Sequence, residues 1–377
     1  MSALPTLERG HAPARNTGFD VLRGTMTLLV LFHHAAITYG AIGGWFYREV
    51  KPSASPAGTL LVLFCTFNQA FFMGLFFLLA GYFTPAAVDR KGPWRYLADR
   101  GLRLGLPLLV FGWILGPATI ALAATARGES FGAVFARLLQ EHAFENGPLW
   151  FAQALLIFAV AAVVVMRARG GVEDRVDISA PWPSNAMLAL AAVATGLAAV
   201  GLRQVWPVGV NAWGLQLGYF ASYVVLFAFG CVAAGPRWLE RVPAAQARLW
   251  KRVAWVAFPL LPAAYFLAKA VPSLAGKPID VIYAFWEPLV AWGVILALLQ
   301  RFTSGTRSFG RFPLELGRRA YAIYIIHPPV LVGIALAWRD VQAPQLVKFA
   351  VTGSLTCLAC YLLAGLLVRL PGVRRIV

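Results

Sequence analysis

Residues 19–40, FDVLRGTMTLLVLFHHAAITYG, decide the fold. As a helix rising 1.5 Å per residue, this stretch is about one bilayer thick. It opens with Asp20 and Arg23 and carries His33 and His34 inside an apolar run. Ionisable side chains at membrane depth are costly, and they mark functional positions. Arg23 and His34 are eleven residues apart. At 100° per residue that is about 20° beyond three turns, so both lie on one helix face, about 16 Å apart along the axis. With Arg23 at one membrane surface, His34 falls near the midplane and His33 points some 100° away. Such a histidine has two readings. It can move a proton, or it can hydrogen-bond a neighbouring helix and hold the bundle together.

The rest of the chain agrees with a membrane setting. Of its 377 residues 59% are hydrophobic and 13% charged, and the mean hydropathy is +0.68. Soluble domains carry about 25% charged residues. Ten hydrophobic windows fall near 20–42, 58–83, 104–126, 147–166, 186–202, 214–235, 253–270, 279–300, 320–337 and 346–369. This predicts an all-α polytopic bundle of about ten transmembrane helices in one domain, residues 1–377. Residues 1–18 form a polar N-terminal segment, and the first apolar run reads as a retained span rather than a cleaved signal.

Placing the N-terminus in the cytoplasm puts 24 of the 33 basic residues on cytoplasmic segments, among them Arg9, Arg15, Arg90, Arg175, Arg241 and Arg307. That asymmetry satisfies the positive-inside rule with both termini cytoplasmic. It also accounts for the net charge of +17 and argues against nucleic acid as a partner. The lipid bilayer is the implied surroundings. The four cysteines, Cys65, Cys231, Cys357 and Cys360, all sit in apolar segments. They read as small buried hydrophobes rather than a metal or redox set.

Further candidates follow in chain order. Gly74, Ala80 and Gly81 in FFMGLFFLLAGYFTP suit close helix packing. Arg100 and Arg103 form an i, i+3 pair before the third span. Two guanidiniums on one face suit a phosphate group, or simply anchor the span. Trp150 and Phe151 read as interfacial aromatics, with Gln153 toward the interior. Glu287, some eight residues into its span, needs a partner. His34 lies at a similar depth, so the carboxylate is expected to pair with that histidine or with another buried cation. Tyr321, Tyr324 and His327 precede Pro328 and Pro329, which kink a helix. There is no Walker A or G-x-G-x-x-G loop, no zinc spacing and no G-x-S-x-G elbow.

Taken together these segments resemble the membrane acyltransferase-3 family. Arg23-x10-His34 is similar to its first-span signature, and FFMGLFFLLAGYFTP to its second-span FF-x-x-SGY pattern. Arg100-x-x-Arg103 with Pro107 resembles its R-x-x-R…P element, GPLWFAQALL its LWFL segment, and YAIYIIHPP its terminal Y-x-x-Y-x-x-H-x-P. Ala80 stands where the family often has serine, which removes any role for a hydroxyl there. The branch most similar contains the glucan-succinylating proteins, glucans biosynthesis protein C.

The resemblance implies transfer of a small acyl group, acetyl or succinyl, from cytoplasmic acyl-CoA to a hydroxyl of an envelope carbohydrate at a bacterial inner membrane. His34 is then the expected general base. Arg100 and Arg103 are expected to hold the CoA, and Arg23 to hold CoA or pair with Asp20. Glu287 is expected to orient His34 or charge-pair, and Trp150, Tyr324 and His327 to contact the acceptor. No metal is expected. The rival reading is a transporter or flippase for a carbohydrate or lipid-linked intermediate.

Overall fold

The structure is a computed structural model that describes residues 16–170, 179–271, 276–304 and 308–376. Most of the polar segment 1–18, with Arg9 and Arg15, and the basic residues Arg175 and Arg307 used above for topology, lie outside the described residues. Ten helices among the described residues are long and apolar enough to span a membrane. In chain order they are α1 (Gly18–Thr38), α2 (Pro56–Lys91), α3 (Pro93–Arg127), α4 (Gly147–Ala168), α5 (Asn185–Val205), α6 (Leu217–Ala234), α7 (Ala244–Ala270), α8 (Pro278–Phe302), α9 (Arg311–Ala337) and α10 (Gln345–Leu367). A short amphipathic helix, Phe131–Gln140, follows α3.

The ten expected windows and the ten helices correspond. Three helices begin well before their apolar window, at Pro93, Ala244 and Arg311. The backbone stays helical into arginine-rich turns because long cationic side chains extend from the helix end while their stems remain on apolar surface. The starts of the odd-numbered spans and the ends of the even-numbered ones therefore form an arginine-rich face. The loops 39–55, 128–146 and 206–216 form the opposite face.

Local chemistry sets the ends. At α2 the Ser55 hydroxyl accepts from the Gly58 N–H, with Pro56 in the first turn. Ser184 caps α5 in the same way, accepting from Met187 N–H. In α3 the helix widens into π turns at Gly101–Gly105 and Phe111–Leu115. Each ends two residues before a proline, Pro107 or Pro117. A proline ring displaces the carbonyl four residues back and offers it no N–H. The i→i+5 bonds from Leu106 to Gly101 and from Gly116 to Phe111 absorb the strain.

α1 packs on α9, α2 and α10, and α2 on α6 and α8. Two crossings are glycine contacts. A Cβ on Gly81 would overlap the Phe227 carbonyl, and one on Gly230 the Leu78 carbonyl, so α2 and α6 meet backbone to backbone. This is the packing role read for Gly81 in the sequence. On α9, a Cβ at Gly317 would overlap the Asp20 carbonyl of α1, and one at Gly24 would lie 2.9 Å from Gly317 N. α1 and α9 both start on the arginine-rich face and run parallel. Each carries a histidine ten residues beyond its glycine, His34 and His327. Equal spacing along parallel helices, about 15 Å, brings the two rings level.

Candidate active site

The histidine pair forms where α1 and α9 run on from that crossing. His34 Nδ1 lies 3.0 Å from His327 Nε2. His327 Nδ1 lies 2.6 Å from the carbonyl oxygen of Tyr324. That carbonyl would serve the N–H of residue 328 in a regular helix, but residue 328 is proline and has none. The imidazole takes the vacant place. A carbonyl only accepts, so His327 Nδ1 carries the hydrogen, and the lone pair of the neutral ring sits on Nε2. His34 Nδ1–H must then donate to it, which leaves His34 Nε2 with a free lone pair. A neighbouring proline thus fixes the tautomers of both rings.

His34 stands four residues from the Thr38 end of α1 and sixteen from Gly18. Arg23 lies five residues inside the helix, not at its tip. Trp45, on the loop after α1, stacks on His34 with ring centroids 4.0 Å apart and an 8° interplanar angle. The loop is strapped down by Lys348, which reaches Glu49 at 2.5 Å, and by Arg48, which donates to the Ala41 carbonyl at 2.9 Å. His33 points elsewhere and stacks on Phe72 at 4.9 Å.

His34 forms part of the wall of a cavity of about 840 Å³ between the helices at the loop face. Trp150 and Tyr324, expected to contact the acceptor, line it. His327 does not. It is fully buried, and its direct neighbour is His34 rather than the contents of the cavity. The Tyr324 hydroxyl donates to the Pro148 carbonyl and ties α9 to the start of α4.

Glu287 takes the second of the partners considered for it. Arg203 of α5 donates to one oxygen at 2.5 Å and Ser222 of α6 to the other at 2.9 Å. No hydrogen bond joins Glu287 to His34 among the described residues. The reason is placement. α8 packs chiefly on α7 and α5, and it presents Glu287 toward α5 and α6. Arg203 was not singled out from the sequence, because it lies one residue past a short Ala-rich window, 186–202. Its signal was a lone arginine near the loop face, against the positive-inside trend.

The arginines gather at the other end. Arg23 pairs with Asp20 one turn earlier. Arg103 pairs with Asp99 at 3.2 Å and is half exposed, while Arg100 lies over the Tyr96 ring at 5.2 Å. The α-to-π change at Gly101 alters the angular step between them, so the regular i, i+3 geometry expected of the pair does not hold. Arg100 also lies within electrostatic reach of Tyr321. Buried polar atoms here that lack a hydrogen-bond partner include Arg23 Nε, Arg100 Nε and Tyr321 Oη. Orphaned buried donors call for a partner. Two of these are guanidinium nitrogens, which suit an anionic oxygen acceptor.

A polytopic helical bundle, with a polarised histidine pair on a cavity and an arginine-rich opposite face, has the parts of an intramembrane group-transfer enzyme. The acyltransferase-3 model, described as an acyltransferase domain, matches residues 16–365, and the chain belongs to that family. It is a multi-pass membrane acyltransferase. No curated protein and no solved structure matches the chain.

Proposed function

We propose that the protein takes a small acyl group, acetyl or succinyl, from acyl-CoA and transfers it to a hydroxyl of an envelope carbohydrate, a glucan in the first instance, across a bacterial inner membrane. The observation that carries this reading is the chain Tyr324 carbonyl, His327, His34, which ends in a basic nitrogen beside a cavity. The acceptor hydroxyl gives its proton to His34 Nε2 as its oxygen attacks the thioester carbonyl. The His34 Nδ1–H bond to His327 orients the ring and spreads the charge that develops. The tetrahedral oxyanion collapses, the C–S bond breaks, and the departing CoA sulfur takes the proton back from His34. Trp45 holds the ring from one face.

Arg100, Arg103 and Arg23 bind the anionic end of CoA. Arg23 and His34 lie about 16 Å apart along α1, so anion binding and chemistry are separate stations. Trp150 and Tyr324 meet the acceptor, and His327 acts through His34. A transporter would move its cargo without consuming a thioester, and family membership does not favour it.

The test is CoA-thiol release from acetyl-CoA and succinyl-CoA by the purified protein, with glucan acceptors present. Release that needs the acceptor and disappears in His34→Ala supports the reading. The Arg100→Ala/Arg103→Ala double variant should raise the KM for acyl-CoA. Wild-type protein that binds glucan yet releases no thiol would overturn the proposal.

A further inference from the structure

One buried ion pair takes no part in the chemistry above. Arg203 and Glu287 are both almost fully buried, with side chains 6% and 1% exposed. Removing two charges from water costs several kcal/mol per ion, and apolar residues of similar volume often serve stability as well. The pair needs another reason to be there, and its surroundings supply one. Arg203 Nε donates to the Gly218 carbonyl at 3.0 Å, just before Tyr219. Its guanidinium carbon lies 4.8 Å from the ring of Tyr283 and 5.9 Å from that of Tyr219. Ser222, the other partner of Glu287, adjoins Tyr223. The pair therefore holds three tyrosines from behind, two by their rings and two by their backbone. All three line the cavity that His34 faces, and so does Gln69, which donates to the Tyr223 hydroxyl at 3.1 Å.

We infer that Tyr219, Tyr223 and Tyr283, with Gln69, form a subsite for the ring of an uncharged sugar, and that the Arg203–Glu287 pair positions it. This rests on the acyl-acceptor reading above and names where the acceptor sits. The wall offers hydroxyl and amide groups that both donate and accept, on rigid aromatic supports, as sugar hydroxyls require. Formal charge around the cavity, histidines apart, is one Glu145 and one Lys269, which cancel. Behind the wall, Arg203 Nη1 is buried without a hydrogen-bond partner. Both oxygens of its carboxylate partner are already engaged, by Nη2 and Ser222. Cavities that enclose small ligands run to about 300–1,000 Å³, so this one holds a sugar ring with room for an acyl group.

The experiment uses the full-length protein in detergent. Binding of a neutral glucan oligosaccharide is compared with that of a polyuronate of equal length, and steady-state kinetics are run with the neutral acceptor. Wild type should favour the neutral chain by about tenfold or more. Tyr283→Phe and Tyr219→Phe/Tyr283→Phe keep the rings over Arg203 and delete hydroxyls. Each lost hydrogen bond should raise the acceptor KM about tenfold, with the KM for acyl-CoA within twofold. Glu287→Gln should raise the acceptor KM as well, because the support is lost. Equal binding of the polyuronate, or an unchanged acceptor KM in the double variant, would sink the subsite. Wild type that binds the neutral oligosaccharide but releases no thiol would leave the subsite standing and remove the transfer reading.

Discussion

Two polar clusters are buried around one cavity, and they are built in opposite ways. The Arg203–Glu287 cluster is closed at its carboxylate. Both oxygens are engaged, by a guanidinium and a hydroxyl, and protonating the carboxylate would cost the ion pair with Arg203. The His34–His327 cluster is open. It starts at a backbone carbonyl that proline has left without its helical donor, passes through two imidazoles, and ends in an unshared lone pair. A closed network holds its neighbours in place, whereas an open chain hands something on. On the proposed function, the difference separates the group that would do chemistry from the group that would shape the site, although both are buried ionisable residues.

The largest expected effect breaks the open chain at its end. His34→Ala should lower turnover about 10²–10⁴-fold, measured as acceptor-dependent thiol release, with the protein still folded. The closed network should fail in the other way. Glu287→Gln leaves Arg203 buried and unpaired, and should cost about 3–5 kcal/mol of stability. A thermal unfolding series of the solubilised protein measures this, and an Arg203→Met/Glu287→Met double variant should recover most of it. Recovery of stability without recovery of acceptor KM would sharpen the distinction between holding and shaping.

A subtler break leaves both histidines in place. Pro328→Ala restores an N–H that competes with His327 Nδ1 for the Tyr324 carbonyl. Turnover should fall about tenfold while the KM for acyl-CoA stays constant, because only the proton chain is touched. Full activity in that variant would mean that the tautomers are set some other way.

The smallest effect comes from a second closed network, at the arginine-rich face. Glu240 accepts from Arg237 at 2.6 and 3.0 Å, from Tyr82 at 2.7 Å and from Asn16 at 3.4 Å. Burial pushes its carboxyl up, but the bonds from Arg237 and Tyr82 outweigh burial and hold it below the usual carboxylate range. A depressed folded pKa stabilises above the unfolded value of about 4.3 and ceases to do so as pH falls through the folded one. Wild type should therefore melt above Glu240→Gln near neutral pH, by no more than about 1 kcal/mol in this part-exposed site. The two curves should converge in acid.

Much of this was legible in the sequence. The ten spans followed from hydropathy, since a bilayer demands continuous apolar helix. The cost of a histidine in such a span marked His34 as a candidate, and the fold places it on the cavity wall. Other features needed the third dimension. The H-P-P run announced a kink, but only the fold showed that the carbonyl it frees belongs to Tyr324 and that His327 fills the vacancy. Glu287 announced the need for a partner. Which cation met it depended on which helices flank α8, and no periodicity encodes that. Trp45 sits on a loop outside every span, where single-sequence patterns carry no signal. The Arg100–Arg103 spacing was read on a regular helix, whereas the π turn ahead of Pro107 changes the angular step between them.

The glycine crossing of α1 and α9 has a consequence for the lipid environment. Bilayers differ in thickness, and helices answer the mismatch by tilting or sliding at modest cost. α1 and α9 enter from the same side and are seated together at Gly24 and Gly317, so a thicker or thinner membrane moves them as one strut. The 3.0 Å contact between His34 and His327 then travels with the strut rather than stretching. Turnover should be insensitive to acyl-chain length in reconstituted membranes for wild type. Gly317→Leu, which would unseat the strut, should make activity depend on the lipid.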